Sequence, residues 1–393
     1  MINRVALLSI HSSPLDQPGS GDAGGMNVYI DALARTLVGR GVAVDVFTRG
    51  DSITAGCTHV IPGYAVVELP AEGDDRAALV SSYADGVIDW AARHELTYDI
   101  VHSHYWLSGW AGALLQERLG IPLAISFHTL GRVKEAARIP GEPRESLVRI
   151  AAEAEVVARA ECMVASTPAD AADLIEHYQA NPERICVSPP GVDHEVFSPG
   201  DRTAARARFG LGDGPIVGFV GRIQALKGVD VAIRAVAAIP GCELLVVGGP
   251  SGPGGAADLA GFRTLAEELA PGRVHFHGPM DHNDVVDAYR AVDALIVPSR
   301  AESFGLVALE AQATGIPVVA SRVGGLPYII LDGLSGSLIA GHDPADYTAA
   351  LERILFDPAH AAELGTGAVK RAEEFSWDVT VERLLELYRG MVE

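Results

Sequence analysis

Short apolar stretches alternate with longer amphipathic stretches along the whole chain. In the first half they predict strands near residues 5–10, 43–48, 100–103, 123–127, 163–166 and 185–188. In the second half they predict strands near residues 216–220, 243–247, 274–277, 294–298 and 318–321. Apolar strands that alternate with helices are typical of parallel sheets covered by helices on both sides. The pattern therefore predicts an α/β protein built from doubly wound parallel sheets.

A passage rich in proline and glycine, residues 188–200, separates the two sets of strands and is the natural linker. We therefore expect two facing Rossmann-like domains, residues 1–190 and 191–372. Doubly wound sheets bind ligands at the carboxyl ends of their strands, which predicts a site in an interdomain cleft. Residues 375–388 have the spacing of an amphipathic helix, and we expect a helix over about 373–393 to pack back on the first domain.

Two glutamates that are eight residues apart, Glu302 and Glu310, follow the predicted strand at 294–298. On one helix they would lie roughly 12 Å apart, farther than the about 5–9.5 Å of glycosidase carboxylate pairs. We expect a turn at Phe304 and Gly305 and a helix over about 306–313. Each carboxylate can then accept hydrogen bonds from a pair of sugar hydroxyls, and the helix N-terminus suits an anion. The alternative, a capping acid followed by a solvated helical acid, stays open.

Two basic residues, Arg222 and Lys227, follow the predicted strand at 216–220 and can reach one diphosphate. Lysine is rare in this chain, with only Lys134, Lys227 and Lys370 among 30 basic residues. Because most basic positions of this chain are arginine, a position that is lysine is more often one where the function requires lysine. This favours a functional role for Lys227. The glycine-rich loop at 18–27 can also bring its backbone close to a phosphate, with a plain surface turn as the alternative.

Histidines mark two further strand ends. His102 and His104 point to the same side of a strand, so a metal site is conceivable, but no third ligand is evident and a core or polar-lining role is favoured. His128 suits a hydrogen bond to a sugar hydroxyl, with an ordinary buried histidine as the alternative. The basic residues that follow predict an anionic ligand group, with a solvated surface as the alternative: Arg132, Lys134, Arg138, Arg144 and Arg149.

The overall composition excludes several classes of function. The 393 residues carry a net charge of −21, which argues against binding to nucleic acid and against a polybasic membrane anchor. The four cysteines lie far apart without metal-ligand spacing, and neither a signal peptide nor an apolar run of about 18 residues is evident. We expect a cytoplasmic protein that needs no metal, and a homodimer stays open.

Four motifs together resemble those of the retaining glycosyltransferases of family 4, which have the GT-B fold. They are Gly-Asp-Ala-Gly-Gly-Met-Asn at 21–27, His-Ser-His-Tyr-Trp at 102–106, Gly-Arg-x4-Lys-Gly at 221–228 and Glu-Ser-Phe-Gly-Leu-Val-x2-Glu at 302–310. The resemblance covers about residues 4–390. It is strongest to the members that transfer N-acetylglucosamine from a UDP-sugar to an inositol phosphate in mycothiol biosynthesis. It implies an acceptor-binding first domain and a second domain that binds the nucleotide-sugar donor.

The resemblance also implies a role for each matching residue. The donor diphosphate would be held by Arg222 and Lys227 with the backbone of Gly25, the ribose by Glu310, and the donor sugar by Glu302 with the N–H groups of Phe304, Gly305 and Leu306. The 6-hydroxyl of that sugar would contact His128. The acceptor would be held by Asn27, Tyr105, Thr129 and Arg149, the last three around its phosphate. Enzymes of this class are thought to lack a dedicated protein base, so the leaving phosphate oxygen would take the proton of the acceptor hydroxyl.

One departure from the family pattern leaves the acceptor open. The mycothiol-pathway members carry a phosphate-binding lysine ahead of the motif at 102–106, whereas residues 1–133 of this chain contain no lysine. Arg76 is a candidate substitute. The alternatives are therefore a glycosyltransferase of the same fold with a non-phosphorylated polyol acceptor, or a UDP-GlcNAc 2-epimerase or hydrolase.

Overall fold

The computed structural model describes residues 1–21, 23–50, 55–70, 76–138, 143–252 and 254–393. The chain forms two compact units. Unit 1 contains Met1–Asp16, Met26–Pro189 and Trp377–Glu393, and unit 2 contains Gln17–Gly25 and Pro190–Ser376. The domain boundaries predicted from the sequence place residues 17–25 in the first domain. In the structure they belong to unit 2. Their backbone is hydrogen-bonded there, because the Gly249 N–H donates to the Gly19 carbonyl at 2.8 Å.

Within the described residues, the elements of unit 1 begin with β1 (Arg4–Ser9), α1 (Gly25–Gly39), β2 (Ala43–Gly50), β3 (Gly56–Ile61), β4 (Tyr64–Pro70), α2 (Arg76–Arg93) and β5 (Ile100–His104). They continue with α3 (Trp106–Leu119), β6 (Leu123–Ser126), α4 (Gly131–Ala136), α5 (Leu147–Arg159), β7 (Cys162–Ala165), α6 (Pro168–Tyr178) and β8 (Ile185–Val187). The strand order is β3-β4-β2-β1-β5-β6-β7-β8. Helices cover both faces of this sheet, because Val5 and Leu7 enter one apolar core while Ala6 and Leu8 enter another.

Within the described residues, the elements of unit 2 begin with α7 (Arg202–Phe209), β9 (Ile216–Val220), α8 (Val229–Ala237), β10 (Glu243–Val247), α9 (Gly255–Leu269), β11 (Val274–Gly278) and α10 (Val285–Ala291). They continue with β12 (Ala294–Val297), α11 (Leu306–Ala313), β13 (Val318–Ser321), α12 (Leu326–Ile329), β14 (Gly336–Ile339), α13 (Pro344–Leu355) and α14 (Pro358–Ala372). The strand order is β11-β10-β9-β12-β13-β14, and every pair is parallel. The predicted α/β fold with doubly wound sheets is confirmed.

The last helix, α15 (Trp377–Val392), returns to unit 1. Its apolar side chains Val381, Leu384 and Tyr388 are fully buried in the same core as Val5 and Leu7. Arg40, directly after α1, pairs with Asp378 at 2.8 Å. None of the helices in the described part of the chain has the length and apolar composition of a membrane span.

Three observed strands were not predicted. β3 and β4 form an antiparallel hairpin at the edge of the first sheet, joined by the two-residue turn of Pro62 and Gly63. Proline fixes a negative φ at the first position of this turn, and Gly63 has a φ of 91° at the second, as in a type II turn. β14 is only four residues long and lies at the edge of the second sheet, so its apolar signal is weak.

Each sheet has a point where the strand order reverses. In unit 1 the chain builds outward from β1 through β2 and then returns to β5 on the other side of β1. In unit 2 it builds outward from β9 through β10 and returns to β12 beside β9. Loops that follow the two strands at such a point diverge to opposite faces and leave a crevice, where doubly wound sheets bind their ligands. Of the predicted site residues, Tyr105 follows β5, Arg222 and Lys227 follow β9, and Glu302 follows β12.

Candidate active site

The turn after β9 presents the two predicted cations of unit 2. Arg222 follows directly after Gly221, and Lys227 ends a short 3₁₀ turn over Ala225–Lys227. Gly228 then enters α8 with a φ of 72°. A side chain at Gly228 would clash with the carbonyl oxygen of Pro298 at the end of β12. The glycine therefore allows the turn after β9 to pack against the strand that leads to Glu302.

Lys227 and Glu302 form an ion pair, with Nζ 2.6 Å from Oε2. The side chains are 21% and 14% exposed, so the pair is partly shielded from water. The Ser299 hydroxyl donates to the same carboxylate oxygen at 3.2 Å. The cation predicted to hold a diphosphate and the carboxylate predicted to hold sugar hydroxyls thus bind each other in this structure.

Two glycines, Gly324 and Gly325, pack against the backbone of Glu302. The Gly325 N–H donates to the Glu302 carbonyl at 3.0 Å, and a side chain at Gly324 would clash with that same oxygen. The turn continues through Phe304, whose side chain is buried, and Gly305, with a φ of 98°. The predicted helix over 306–313 is confirmed as α11. Because the first N–H groups of a helix lack acceptors within the helix, this turn offers donors to an anion or a hydroxyl.

Glu310 lies in α11 and is only 5% exposed, so the alternative of a solvated helical acid is wrong. The Tyr289 hydroxyl donates to Glu310 Oε2 at 2.6 Å, and His282 Nε2 lies 3.7 Å from Oε1. Burial, followed by the nearby carboxylate charge, raises the pKa of Tyr289 well above its ordinary value. Tyr289 therefore remains a neutral donor that holds the carboxylate in one orientation.

The glycine-rich loop approaches the same elements of unit 2. A Cβ built on Gly24 would lie 3.4 Å from Nε of Arg222. A Cβ built on Gly25 would lie 3.4 Å from Cδ1 of Leu306, the first residue of α11. The loop backbone is thus next to both Arg222 and the start of α11.

A column of three histidines lies at the ends of β5 and β6 in unit 1. The rings of His102 and His104 are 4.5 Å apart, and those of His104 and His128 are 5.2 Å apart. His102 Nδ1 lies 2.6 Å from the Tyr388 hydroxyl of α15, and His104 Nδ1 lies 3.0 Å from His128 Nε2. Burial lowers the pKa of His102 to about 3 and that of His128 to about 4. The column is therefore neutral at physiological pH.

The favoured interpretation of His102 and His104 as core or polar-lining residues agrees with their complete burial. In the described ranges, no group of three or more His, Cys, Asp or Glu residues is arranged to hold a metal ion. Tyr105, which follows His104, and His128 of the column have a positive φ of 72° and 57°. Such a backbone is uncommon for residues other than glycine and is concentrated at functional sites.

Three of the four predicted acceptor residues lie together in unit 1. Arg149 is 4% exposed at its side chain, and one of its terminal nitrogens donates to the carbonyl and the hydroxyl of Thr129 at 3.0 and 3.2 Å. The guanidinium lies 4.9 Å from the ring centroid of Tyr105. Asn27 is fully buried and donates to the Ser12 hydroxyl at 2.9 Å.

The rest of the basic series pairs with carboxylates or carbonyls of unit 1. Lys134 contacts Glu145 at 2.6 Å, and Arg138 and Arg144 lie 3.2 and 3.9 Å from Glu135. Arg132 donates to the backbone of His177. The alternative of a solvated surface describes Arg144, which is 83% exposed. It does not describe Arg149.

Two family models match the chain. The model of Glycosyltransferase Family 4 matches residues 23–196, and that of Glycosyl transferases group 1 matches residues 201–371. The chain is 45% identical to D-inositol 3-phosphate glycosyltransferase 2 of Catenulispora acidiphila, over 99% of this chain and 95% of that protein. It is 47% identical to the D-inositol 3-phosphate glycosyltransferase of Mycobacterium avium, over 99% of this chain and 94% of that protein. The chain belongs to the family 4 glycosyltransferases.

Solved structures give the same result for the fold. The glycosyltransferase resembles the sucrose-phosphate synthase of Thermosynechococcus elongatus with a TM-score of 0.91 and 32% identity, over 99% of this chain and 98% of that one. It also resembles Anabaena HepE in complex with UDP and glucose, with a TM-score of 0.82 and 19% identity, over 99% of this chain and 100% of that one. The predicted family and the GT-B fold are confirmed. The protein is therefore an enzyme that uses a nucleotide-sugar donor.

Several residues that shape the sites of this glycosyltransferase were not found by sequence reasoning. Tyr289 precedes Glu310 by 21 residues, and no motif links them. The carboxylates of Glu145 and Glu153 hold Arg149 from four residues before and four residues after it. That i,i+4 spacing is a recognisable pattern of ion pairs, and it could have been found in the sequence.

Proposed function

We propose that this glycosyltransferase moves N-acetylglucosamine from UDP-GlcNAc to an inositol phosphate and retains the anomeric configuration. The observation that carries the proposal is the cluster of Arg149, Thr129 and Tyr105, which places a buried guanidinium beside a hydroxyl and an aromatic ring. A planar guanidinium that donates several hydrogen bonds is well suited to a phosphate. The names of the relatives, which describe transfer to an inositol phosphate, support the same acceptor.

The proposed donor site assigns the diphosphate to Arg222 and Lys227. Both lie in the turn after β9, and the Gly25 backbone lies beside α11 near them. Two cations stabilise the negative charge that develops on a leaving diphosphate. We propose that no metal is required, because these side chains supply the positive charge.

The sugar and ribose hydroxyls are assigned to the two glutamates. Glu302, with the N–H groups of Phe304, Gly305 and Leu306, binds the transferred sugar. Glu310 binds the ribose, and Tyr289 fixes its orientation. In both cases an ionised carboxylate accepts hydrogen bonds from hydroxyl groups.

The acceptor side is assigned to residues of unit 1. Asn27 binds a hydroxyl of the inositol ring, while Tyr105, Thr129 and Arg149 surround its phosphate. His128 contacts the 6-hydroxyl of the donor sugar. A neutral imidazole can serve there as a donor or an acceptor, and the low pKa of His128 keeps it neutral.

The proposed reaction needs no dedicated protein base. The bond between the anomeric carbon and the phosphate oxygen breaks, and the acceptor hydroxyl attacks from the same face. The leaving phosphate oxygen takes the proton of that hydroxyl, so the products are UDP and the glycosylated inositol phosphate. The protein contributes position and charge neutralisation.

A second acceptor class is favoured by one observation. Arg149 is already paired with Glu145 and Glu153, as expected if it serves only to support a pocket for an unphosphorylated polyol. The test is UDP release by the full-length protein from UDP-, ADP- and GDP-sugars, with inositol phosphate, free inositol or no acceptor. The proposal expects UDP-GlcNAc with inositol phosphate to give the highest rate. Release without acceptor would indicate a hydrolase or epimerase, and a preference for free inositol would indicate the second class.

A further inference from the structure

Glu145 bridges two cations beside the proposed phosphate site. Its Oε1 accepts a hydrogen bond from Lys134 Nζ at 2.6 Å, and its Oε2 accepts one from a terminal nitrogen of Arg149 at 3.1 Å. The carboxylate is 18% exposed at its side chain. Burial opposes its charge, but the hydrogen bond from Lys134 and the charge of Arg149 hold the pKa of Glu145 below its ordinary value. Glu145 is thus an anion held between two cations.

The hydrogen-bonding capacity of Arg149 is used almost completely by the protein. Nε donates to Glu153 at 2.8 Å, one terminal nitrogen donates to Glu145 and the other donates to Thr129. These bonds use four of the five N–H donors of the guanidinium. Arg149 therefore needs to exchange at least one of them before it can donate two hydrogen bonds to a phosphate ester. The structure shows which partner is the easier to exchange.

The two carboxylates are held very differently. Glu153 is fully buried, and it also accepts the Gly131 N–H at 3.0 and 3.1 Å and the Tyr178 hydroxyl. Removing Glu153 from Arg149 would leave several buried donors without a partner, which is costly. Glu145 is partly exposed, and its carboxylate pairs with two cations, Lys134 and Arg149, that a phosphate could satisfy instead.

We propose that the Glu145 carboxylate occupies the position that the acceptor phosphate takes, and that Lys134 is a further ligand of that phosphate. The inference rests on the proposed function, because it requires an acceptor that is a phosphate ester. Binding turns Glu145 outward, and the phosphate then bridges Lys134 and Arg149 beside the Thr129 hydroxyl. Lys134 is the one lysine within the sequence ranges of unit 1. The negative charge of Glu145 selects against neutral acceptors, which cannot replace it between the two cations.

Two substitutions test this arrangement in the full-length protein. Glu145→Gln keeps the size of the side chain but removes the competing charge, and we expect inositol phosphate to bind several-fold more tightly. Lys134→Met removes one phosphate ligand, and we expect roughly tenfold weaker binding of inositol phosphate. Binding of unphosphorylated inositol stays unchanged in Lys134→Met. Isothermal titration calorimetry with inositol phosphate, inorganic phosphate and inositol measures all three.

Matched controls lie on α5, the helix that carries Arg149, near its C-terminal end. Glu155→Gln and Arg159→Met remove the same charges from an ion pair with 42% and 39% exposed side chains on α5, and both leave the affinity for inositol phosphate unchanged. Weaker or unchanged binding in Glu145→Gln overturns the exchange of carboxylate for phosphate. Unchanged binding in Lys134→Met overturns its role as a ligand. Thermal unfolding of each variant separates these results from a loss of folding.

These affinities, together with the UDP-release assay of the wild-type protein, separate this inference from the proposed function. If inositol phosphate binds with the expected changes but the wild-type protein does not transfer N-acetylglucosamine to it, the site stands and the proposed reaction fails. If transfer occurs but neither variant changes the affinity, the reaction stands and the inference fails. Equal effects on inorganic phosphate and inositol phosphate place the interaction at the phosphate group itself.

Discussion

Nζ of Lys227 lies 2.6 Å from Oε2 of Glu302, so the two groups neutralise each other in this structure. Under the proposed roles, the lysine exchanges this bond for one to the donor diphosphate, and the glutamate exchanges it for bonds to the donor sugar. The ion pair holds both side chains near their working positions before the donor binds. Lys227 and Glu302 are therefore the most direct targets for mutation.

We predict that Lys227→Ala lowers kcat by about 10²- to 10³-fold, as expected when one preorganised donor to a developing negative charge is removed. The melting temperature changes little, because Lys227 lies in a short turn and not in the core. Steady-state kinetics and thermal unfolding measure the two effects. Lys370→Ala, at an exposed position on α14, serves as the control. A kcat near that of the wild type in Lys227→Ala would contradict the assignment.

We predict that Glu310→Gln raises the KM for UDP-GlcNAc roughly tenfold, because an ionised acceptor of ribose hydroxyls is lost. A donor that contains 2′-deoxyuridine lacks one of those hydroxyls, so its KM differs less between the variant and the wild type. The exposed Glu363→Gln on α14 is the matched control. An equal rise in KM for both donors would show that Glu310 acts on folding or elsewhere in the site.

We predict that His128→Ala lowers kcat/KM for UDP-GlcNAc roughly tenfold, the size of one lost hydrogen bond. A 6-deoxy donor cannot make that bond, so the variant and the wild type then react at similar rates. His104→Phe shows the same dependence on the donor, because His104 shares a hydrogen bond with His128 at 3.0 Å. Equal losses with both donors would mean that these histidines do not act through the 6-hydroxyl.

The buried histidines predict a loss of stability at acid pH. The pKa of an unfolded histidine is about 6.5, whereas burial lowers that of His102 to about 3 and that of His128 to about 4. Below pH 6.5 the unfolded chain binds protons that the folded chain excludes. The free energy of unfolding is therefore highest above that pH and falls as the pH drops towards 4, by up to about 1.4 kcal/mol per pH unit for each histidine.

Urea unfolding at pH 7.5, 6.0 and 5.0 measures this dependence. His104→Phe removes one buried imidazole, whose pKa burial also lowers well below its ordinary value, and therefore reduces the slope. His59→Gln, at an exposed position on β3, leaves it unchanged. The interpretation fails if His104→Phe has the slope of the wild type.

We predict that a chelator such as EDTA leaves the rate of transfer unchanged, because Arg222 and Lys227 supply the charge that a divalent cation supplies in other transferases. The initial rate is measured with and without EDTA after exhaustive dialysis. Restoration of a lost rate by added Mg²⁺ or Mn²⁺ would show that a metal ion takes part.

Much of the fold could be predicted because its signals are local. Each buried parallel strand is a short apolar run, and the helix over Leu306–Ala313 follows from a glycine turn after such a run. The hairpin of β3 and β4 was missed because its strands lie at an edge, and β3 is largely exposed. The return of residues 17–25 to unit 2 depends on bonds such as that between Gly19 and Gly249, which no local pattern encodes.

The candidate site residues could likewise be predicted where their signal is local, and their partners could not where the contact is long-range. Residues in motifs at strand ends, such as Arg222 and Glu302, could be named because position along the strand places them. Their partners could not be named, because the Tyr289–Glu310 bond and the His102–Tyr388 bond join residues far apart in the chain. The ion pairs of Arg149 with Glu145 and Glu153 were not predicted either. Only the cluster of basic residues was considered in the sequence, and not the carboxylates beside it.

The most direct test of the central claim is the anomeric configuration of the product. The full-length protein is incubated with UDP-GlcNAc and inositol phosphate, and the product is analysed by mass spectrometry and proton NMR. Transfer with retention predicts one product, N-acetylglucosamine joined to inositol phosphate by an α-linkage. A β-linked product, free N-acetylglucosamine, or N-acetylmannosamine in place of a glycosylated inositol phosphate would contradict it.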